Sequence, residues 1–304
     1  MLQTPTPGYT ALREQAARID DSARGRIRMT GEDRARLLHA MTTNDIQDLK
    51  PGQGCYVLFL NAQGRIQADA NVLCFEDSLL LDTEPEQRSK IYEHLDRYII
   101  ADDVTLEDIT STMAAVTLDG PKAATVIEML GAPIPAELFA HAAWGAATVQ
   151  RISATAFRLF GEIPDLGVLE ASPEEARTVR IEQGRPRYGE EITERYLVQE
   201  AGVMQAVSFT KGCYLGQEIV ERVRSRGQVH KQLRAVEIDT DQPPEPGSKL
   251  TVDGAEAGEI VSSAFSPALG KTVAMAYMRT PAADPGTALL SGASTGRVRV
   301  PAQT

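Results

Sequence analysis

Cysteine is scarce in this 304-residue chain, and aromatic side chains make up only 5% of it. The three cysteines, Cys55, Cys74 and Cys213, are odd in number and widely spaced, and no C-x-x-C pair occurs. That excludes a disulfide framework and a structural zinc site, and a reducing, cytoplasmic setting is the expectation. The four histidines, His39, His94, His141 and His230, are scattered and form no local metal pattern. No apolar run reaches the roughly 18 residues that a membrane-spanning helix needs. The first ten residues hold two prolines and no apolar stretch, so no secretory signal is expected. Glycine-rich nucleotide loops of the G-x-x-x-x-G-K-[ST] and G-x-G-x-x-G kinds are missing, as is H-E-x-x-H. Cations are outnumbered, 31 against 42 acidic residues, giving a net charge of −11. Such a chain repels phosphate backbones, which argues against general nucleic-acid binding but leaves room for a local basic pocket.

What is present is ordinary globular composition, 42% apolar and 24% charged. The length predicts two or three domains. Leu37, Leu38 and Met41 recur at helical spacing within 31–49, and Thr42-Thr43-Asn44-Asp45 then breaks the pattern. Cys55–Leu60 and Arg65–Phe75 read as a hairpin around Asn61-Ala62-Gln63-Gly64. Further strands are predicted over 78–83, 104–109 and 113–118, two more within 147–160, and one over the apolar run 203–209. Helices are predicted over 86–99, from Pro121 to Leu130, and over 174–183 ending at Gly184. Strands and helices mix without a regular βαβ repeat, so the class is α+β. After the turn cluster Pro243-Pro244-Glu245-Pro246-Gly247, only short strands with Gly and Pro turns follow. The expectation is an α+β body over 1–240 and a small C-terminal all-β barrel or sandwich over 241–304.

One segment is dense with chemistry: Ser208-Phe209-Thr210-Lys211-Gly212-Cys213-Tyr214-Leu215-Gly216-Gln217-Glu218-Ile219-Val220. Leu215, Ile219 and Val223 are spaced by four, which predicts a helix from about Gly216 to Arg224. Cys213 is then expected at or just before a helix N-terminus, where the macrodipole favours a thiolate, with Lys211 adding positive potential. The glycines allow close backbone approach. The segment reads as a reactive or ligand-contacting thiol, as an anion cradle, or as a strand–helix connection with a buried small Cys.

K-G-C-Y-L-G-Q-E at 211–218 resembles the signature of the YgfZ-type folate-binding proteins. These form a branch of the superfamily that contains the glycine-cleavage T-protein, an aminomethyltransferase. T-T-N-D-I at 42–46, F-L-N-A-Q-G-R-I at 59–66, R-I-E-Q-G-R-P-R-Y-G-E-E-I at 180–192 and S-P-A-L-G-K at 266–271 resemble other stretches of the superfamily. The resemblance thus runs from about residue 28 to 280. It implies a three-lobed ring with a central channel for tetrahydrofolate and a C-terminal barrel. It also implies a monomeric accessory protein that supports assembly or repair of iron–sulfur enzymes, with those enzymes or their assembly proteins as partners.

Carried onto this chain, the resemblance names Cys213 and Lys211 as the reactive pair. It names Glu200, Asp69, Arg187, Tyr188, Tyr214 and Gln217 as folate-binding residues, and no metal site. A carboxylate at Glu200 suits the adjacent N–H donors of a pterin. Arg180, Glu182, Arg185, Arg187 and Tyr188 make a polar cluster that reads either as a hold on a folate tail or as surface ion pairs. Arg222, Arg224, Arg226, His230 and Lys231 form a basic run that reads as a contact for an anion or as a solvated face. T-proteins carry two glycines followed by two acidic residues where this chain has Gly64-Arg65 and Ala68-Asp69. Only one carboxylate remains, which counts against the alternative, aminomethyl transfer of the glycine-cleavage type. A pure binding module with a vestigial site is a third reading.

Overall fold

The computed structural model describes residues 4–227 and 229–299. The first part of the chain gives α1 (Pro7–Glu14), β1 (Ala17–Asp20), β2 (Gly25–Thr30), α2 (Arg34–Met41), β3 (Gly54–Leu60), β4 (Ile66–Cys74), β5 (Ser78–Thr83) and α3 (Arg88–Tyr98). Then come β6 (Thr105–Asp108), β7 (Ala115–Asp119), α4 (Ala123–Met129), β8 (His141–Trp144), β9 (Ala147–Arg151), β10 (Ala156–Gly161) and β11 (Leu169–Glu170). The remainder supplies α5 (Pro173–Glu182), α6 (Val198–Ala201), α7 (Gln217–Arg226), β12 (Lys231–Ile238), β13 (Lys249–Val252), β14 (Ala255–Ser266), β15 (Lys271–Arg279), β16 (Ala288–Ser291) and β17 (Ser294–Val298). These divide into two compact units, one of residues 11–170 with 204–219, the other of described residues 4–10, 171–203 and 220–299. No helix among the described residues is long and apolar enough to cross a membrane.

The first unit holds two sheets. One has the order β3-β4-β5-β2-β6, all antiparallel. Its β3–β4 hairpin turns where expected: the Asn61 side chain accepts from the Gln63 and Arg65 amides at 3.0 and 2.9 Å, and Gly64 takes φ +69°. Strand side chains alternate between faces. Val57, Phe59, Ala68, Ala70 and Val72 therefore share one face and pack with Leu37 and Leu38 of α2 and with Ile91 and Leu95 of α3. Asp69 and Leu73 point the other way. On that side Leu73 and Leu80 meet Ile109, which follows β6, and Ala115 and Phe160 of the neighbouring sheet. That second sheet has the order β11-β1-β7-β10-β9-β8. Its far face, with Leu118, Phe157 and Leu159, packs with Ala123 and Ile127 of α4.

A buried charge network ties the two sheets. Arg24 grips Asp82 through Nε, shared between both carboxylate oxygens at 3.1 Å, and Nη2 at 2.9 Å, and also pairs with Glu84, while Arg158 pairs with both Asp82 and Asp21. Burial opposes ionisation of Asp82, but Arg158 and Arg24 outweigh it and hold its carboxyl below the usual range.

In the second unit, α5 opens on a capping box. Ser172 Oγ accepts from the Glu175 amide, and Glu175 Oε2 accepts from the Ser172 amide at 2.7 Å. The helix ends before Gly184 at φ +67°. Six strands close a barrel in the order β12-β15-β14-β13-β16-β17, with β17 pairing back to β12. Along β15, Ala274, Ala276 and Met278 fill the barrel, while Val273, Met275 and Tyr277 face outward onto Ile181 of α5. The barrel begins at Lys231, before the proline cluster, because β12 pairs with both β15 and β17.

The α+β class and the C-terminal barrel are as the sequence predicts. The apolar run 203–209 is not a strand: Met204–Ala206 forms a 3₁₀ turn. Its polar backbone groups are met locally and by two neighbouring residues, as Thr43 Oγ1 donates to the Ala206 carbonyl at 2.6 Å, Asn44 Nδ2 donates to the Gln205 carbonyl at 3.2 Å and the Ser208 amide donates to the Thr43 carbonyl at 3.0 Å.

Candidate functional site

Asp69 is the only buried carboxylate of β4, 8% exposed. Its Oδ2 accepts from the Tyr56 hydroxyl at 2.6 Å and its Oδ1 from Gln87 Nε2 at 3.0 Å. Burial pushes its carboxyl up to about 6, with Glu84 adding to the rise and Tyr56, Gln87 and Arg24 opposing it. The same burial, with Asp69 beside it, raises Tyr56 well above the ordinary phenol. A carboxylate held near neutrality in a buried site can accept an N–H donor or exchange a proton. Its neighbour Ala68 faces the opposite side, where it lines a cavity of about 200 Å³ with Phe59, Leu60, Ile91, His94 and Leu215. Positions 68 and 69 thus serve different faces, and β4 brings one carboxylate alone to the Asp69 site.

The signature loop packs on the β3–β4 hairpin of the same unit. A Cβ at Gly216, which has φ +84°, would stand 2.6 Å from the Asn61 carbonyl oxygen, so only glycine fits. Lys211 is 8% exposed, and its ammonium donates to the carbonyls of His39, Thr42 and Asn44 at 2.5, 2.6 and 2.9 Å. These carbonyls lie at and beyond the C-terminal end of α2, where helix carbonyls lack intrahelical partners and a cation is favoured. Its ammonium also lies 5.2 Å from the Tyr214 ring centroid. Burial pulls the Lys211 amine down to about 8. The lysine therefore fixes the loop to α2.

Cys213 is an exposed free thiol, whereas Cys55 and Cys74 are buried. Burial raises both of the latter, Cys55 to about 12. The helix that follows begins at Gln217, four residues after Cys213. Cys213 accordingly sits in the loop just ahead of that helix and not in its first turn. The chain reaches the helix through a turn in which the Gln217 amide donates to the Tyr214 carbonyl at 3.2 Å.

The other predicted residues lie in the second unit. Glu200, 8% exposed, accepts from the Leu197 amide at 2.9 Å and so caps the short α6. Arg187 donates to the Tyr188 carbonyl at 3.0 Å, and its amide donates to Glu191 at 2.9 Å. Arg180 pairs with Glu190 and Glu191, and Tyr9 donates to Glu182 at 2.5 Å, so this cluster is an internal network. Arg222, Arg224 and Arg226 are exposed along α7. Lys231 lies 4.6 Å from the Tyr196 ring centroid, in a stack of Tyr196 on Tyr277.

Sequence reasoning missed Tyr56 and Gln87. Tyr56 was legible in principle, because it alternates with the core residues Cys55 and Val57 and so shares a face with a residue across the hairpin. Gln87 carried no signal. Among the described residues, no group of three or more His, Cys, Asp or Glu side chains could hold a metal ion.

Comparison with known proteins locates the fold. Residues 6–160 match the GCVT N-terminal domain, and residues 231–304 match the glycine cleavage T-protein C-terminal barrel domain. A chloroplastic protein of Arabidopsis thaliana named as a candidate transferase is 30% identical over 264 residues, 80% of this chain and 61% of that protein. The chain thus spans about 61% of the length of that relative. An aminomethyltransferase of Rubrobacter xylanophilus is 28% identical over 293 residues, 89% of this chain and 78% of that one. The crystal structure of the glycine cleavage system aminomethyltransferase T from Bartonella henselae superposes with a TM-score of 0.84 at 19% identity, covering 99% of this chain and 91% of that chain.

Proposed function

Because the chain belongs to the glycine-cleavage T-protein family, we propose that it is a tetrahydrofolate-binding accessory protein of the YgfZ type, supporting assembly or repair of iron–sulfur enzymes. The observation that carries this reading is the signature loop. Lys211 and Tyr214 anchor it, and Cys213 stands outward on it as an exposed free thiol. A loop built this way offers its thiol to a partner or an adduct while its base stays fixed.

Each candidate carboxylate by itself suits a folate: Asp69 in the first unit and Glu200 in the second are each buried, and a pterin presents adjacent N–H groups that such oxygens accept. When bound, the folate supplies a carrier for a one-carbon unit. Asp69 holds a proton-accepting oxygen near neutrality, and Tyr56 and Gln87 fix its direction. Arg187, Tyr188 and Gln217 are further folate contacts in this reading. The protein acts in the cytoplasm as a monomer, and its partners are the iron–sulfur enzymes or their assembly proteins.

The names of the bacterial relatives favour a second reading, an aminomethyltransferase. Ala68 counts against it, since its side chain faces an apolar cavity where the T-protein pattern has an acid. Two assays separate the readings. In a strain lacking this protein, the wild type should restore iron–sulfur enzyme activity and Cys213→Ser should not. Supplied with aminomethyl-loaded lipoyl carrier and tetrahydrofolate, the protein should release no ammonia. Turnover on the order of 1 s⁻¹ would establish the transferase instead.

A further inference from the structure

Strand β5 pairs with β4 only from Asn71–Asp82 to Cys74–Leu79. It ends at Thr83, and Pro85 then opens a 3₁₀ turn, Pro85–Gln87. Asp69 therefore lies just past the paired part of the ladder, with a backbone amide and carbonyl still to satisfy. Side chains complete the ladder. Thr83 Oγ1 donates to the Asp69 carbonyl at 2.6 Å, and Gln87 Oε1 accepts from the Asp69 amide at 2.7 Å. Gln87 is 1% exposed, and its other end, Nε2, donates to Asp69 Oδ1 at 3.0 Å. The amide orientation follows from chemistry: the backbone N–H requires an oxygen, so the NH₂ must face the carboxylate.

We propose that Gln87 is the positioning residue of the site, one amide that grips the backbone and the carboxylate of Asp69 together and so aims the carboxylate at the folate. The inference rests on the reading of Asp69 as a folate-facing acid. A neutral amide is suited to the task. Asp69 is already faced by Tyr56 from β3, Glu84 from the end of β5 and Arg24 from the turn before β2. Arg24 is itself engaged by Asp82 and Glu84. Gln87 adds a donor without adding charge, and with fewer χ angles to fix than a lysine or arginine would bring, it holds one direction.

The test uses Gln87→Glu in the full chain. A protonated glutamic acid reproduces the pattern, its O–H donating to Asp69 and its carbonyl accepting the amide. Once ionised, it sets two carboxylates against each other. Anaerobic calorimetric titration with tetrahydrofolate should give a wild-type affinity that is flat from pH 7 to 9. The Gln87→Glu affinity should fall at least tenfold over the same interval. Gln87→Leu, if it folds, should bind at least tenfold more weakly at every pH. Independently of folate, the ¹³C carboxyl signal of Asp69 should titrate in one step in the wild type and in two coupled steps in Gln87→Glu. Wild-type affinity and pH profile in Gln87→Glu, with binding lost in Asp69→Ala, would overturn the positioning role and leave the folate reading intact. If the wild type binds no folate, that reading fails instead, and an unaltered Asp69 titration in Gln87→Glu would overturn the clamp on its own terms.

Discussion

Replacing Asp69 by asparagine keeps the shape of the side chain and removes its charge. The effect on stability should depend on pH in a defined direction. In the folded protein, burial raises the carboxyl from 3.8 to about 6. The folded state thus binds the Asp69 proton more tightly than the unfolded chain does. The stabilisation that protonation gives is fully present below the unfolded value and is lost as pH rises through the folded value. At pH 8 the wild type carries the whole cost of a buried charge; at pH 4 it carries almost none. The rise from 3.8 to about 6, at about 1.4 kcal/mol for each tenfold in proton affinity, makes that cost about 2–3 kcal/mol. Asparagine never bears it. Subtracting the wild-type unfolding free energy from that of Asp69→Asn should therefore give a difference that grows by about 2–3 kcal/mol between pH 4 and pH 8. The difference cancels the titration of other groups, so urea unfolding of the two proteins in parallel suffices. A difference independent of pH, or one that shrinks as pH rises, would refute the assignment of a raised carboxyl at Asp69. The gain in stability should come with weakened folate binding, as expected where a site residue is held at a cost to the fold.

Lys211→Met should destabilise the first unit by about 2–4 kcal/mol in urea unfolding, because three carbonyls at the end of α2 lose their donor; a neutral effect would show that water replaces the ammonium freely. Cys213 should alkylate faster than Cys55 or Cys74 with iodoacetamide across pH 5–9, read by peptide mass spectrometry, since burial raises the other two. Faster labelling of either buried thiol would count against that order. Glu200→Ala should weaken tetrahydrofolate binding by tenfold or more, the loss of a charge-assisted contact of about 1.5–3 kcal/mol; unchanged affinity would reduce Glu200 to the cap of α6.

The elements legible in the sequence are those whose own residues decide them. The β3–β4 hairpin is announced by Asn61 and Gly64, helix α5 by Ser172, Glu175 and Gly184, and the barrel by short strands between glycine turns. The run 203–209 misled because apolar content alone does not supply a strand with a neighbour, and Thr43 and Asn44 take up its polar groups instead. Lys211 illustrates a deeper limit. In sequence it sits two residues before Cys213 and reads as a charge for that thiol, yet its carbonyl partners come from residues 39–44, about 170 positions away. Gln87 is hidden for the same reason, since nothing in a lone glutamine shows that a strand will stop four residues short of it and leave Asp69 to be held. The burial that lifts the Asp69 carboxyl is likewise a product of two sheets meeting. Its place on the face opposite Phe59 and Ala68, by contrast, follows from strand alternation alone.

The most direct test of the account is an anaerobic titration of tetrahydrofolate into the wild-type protein and into Asp69→Ala at pH 7.5, followed by calorimetry. The account predicts one saturable site in the wild type and an affinity at least tenfold lower in the variant. Absence of saturable binding to the wild type, or equal affinity in the two proteins, would contradict it.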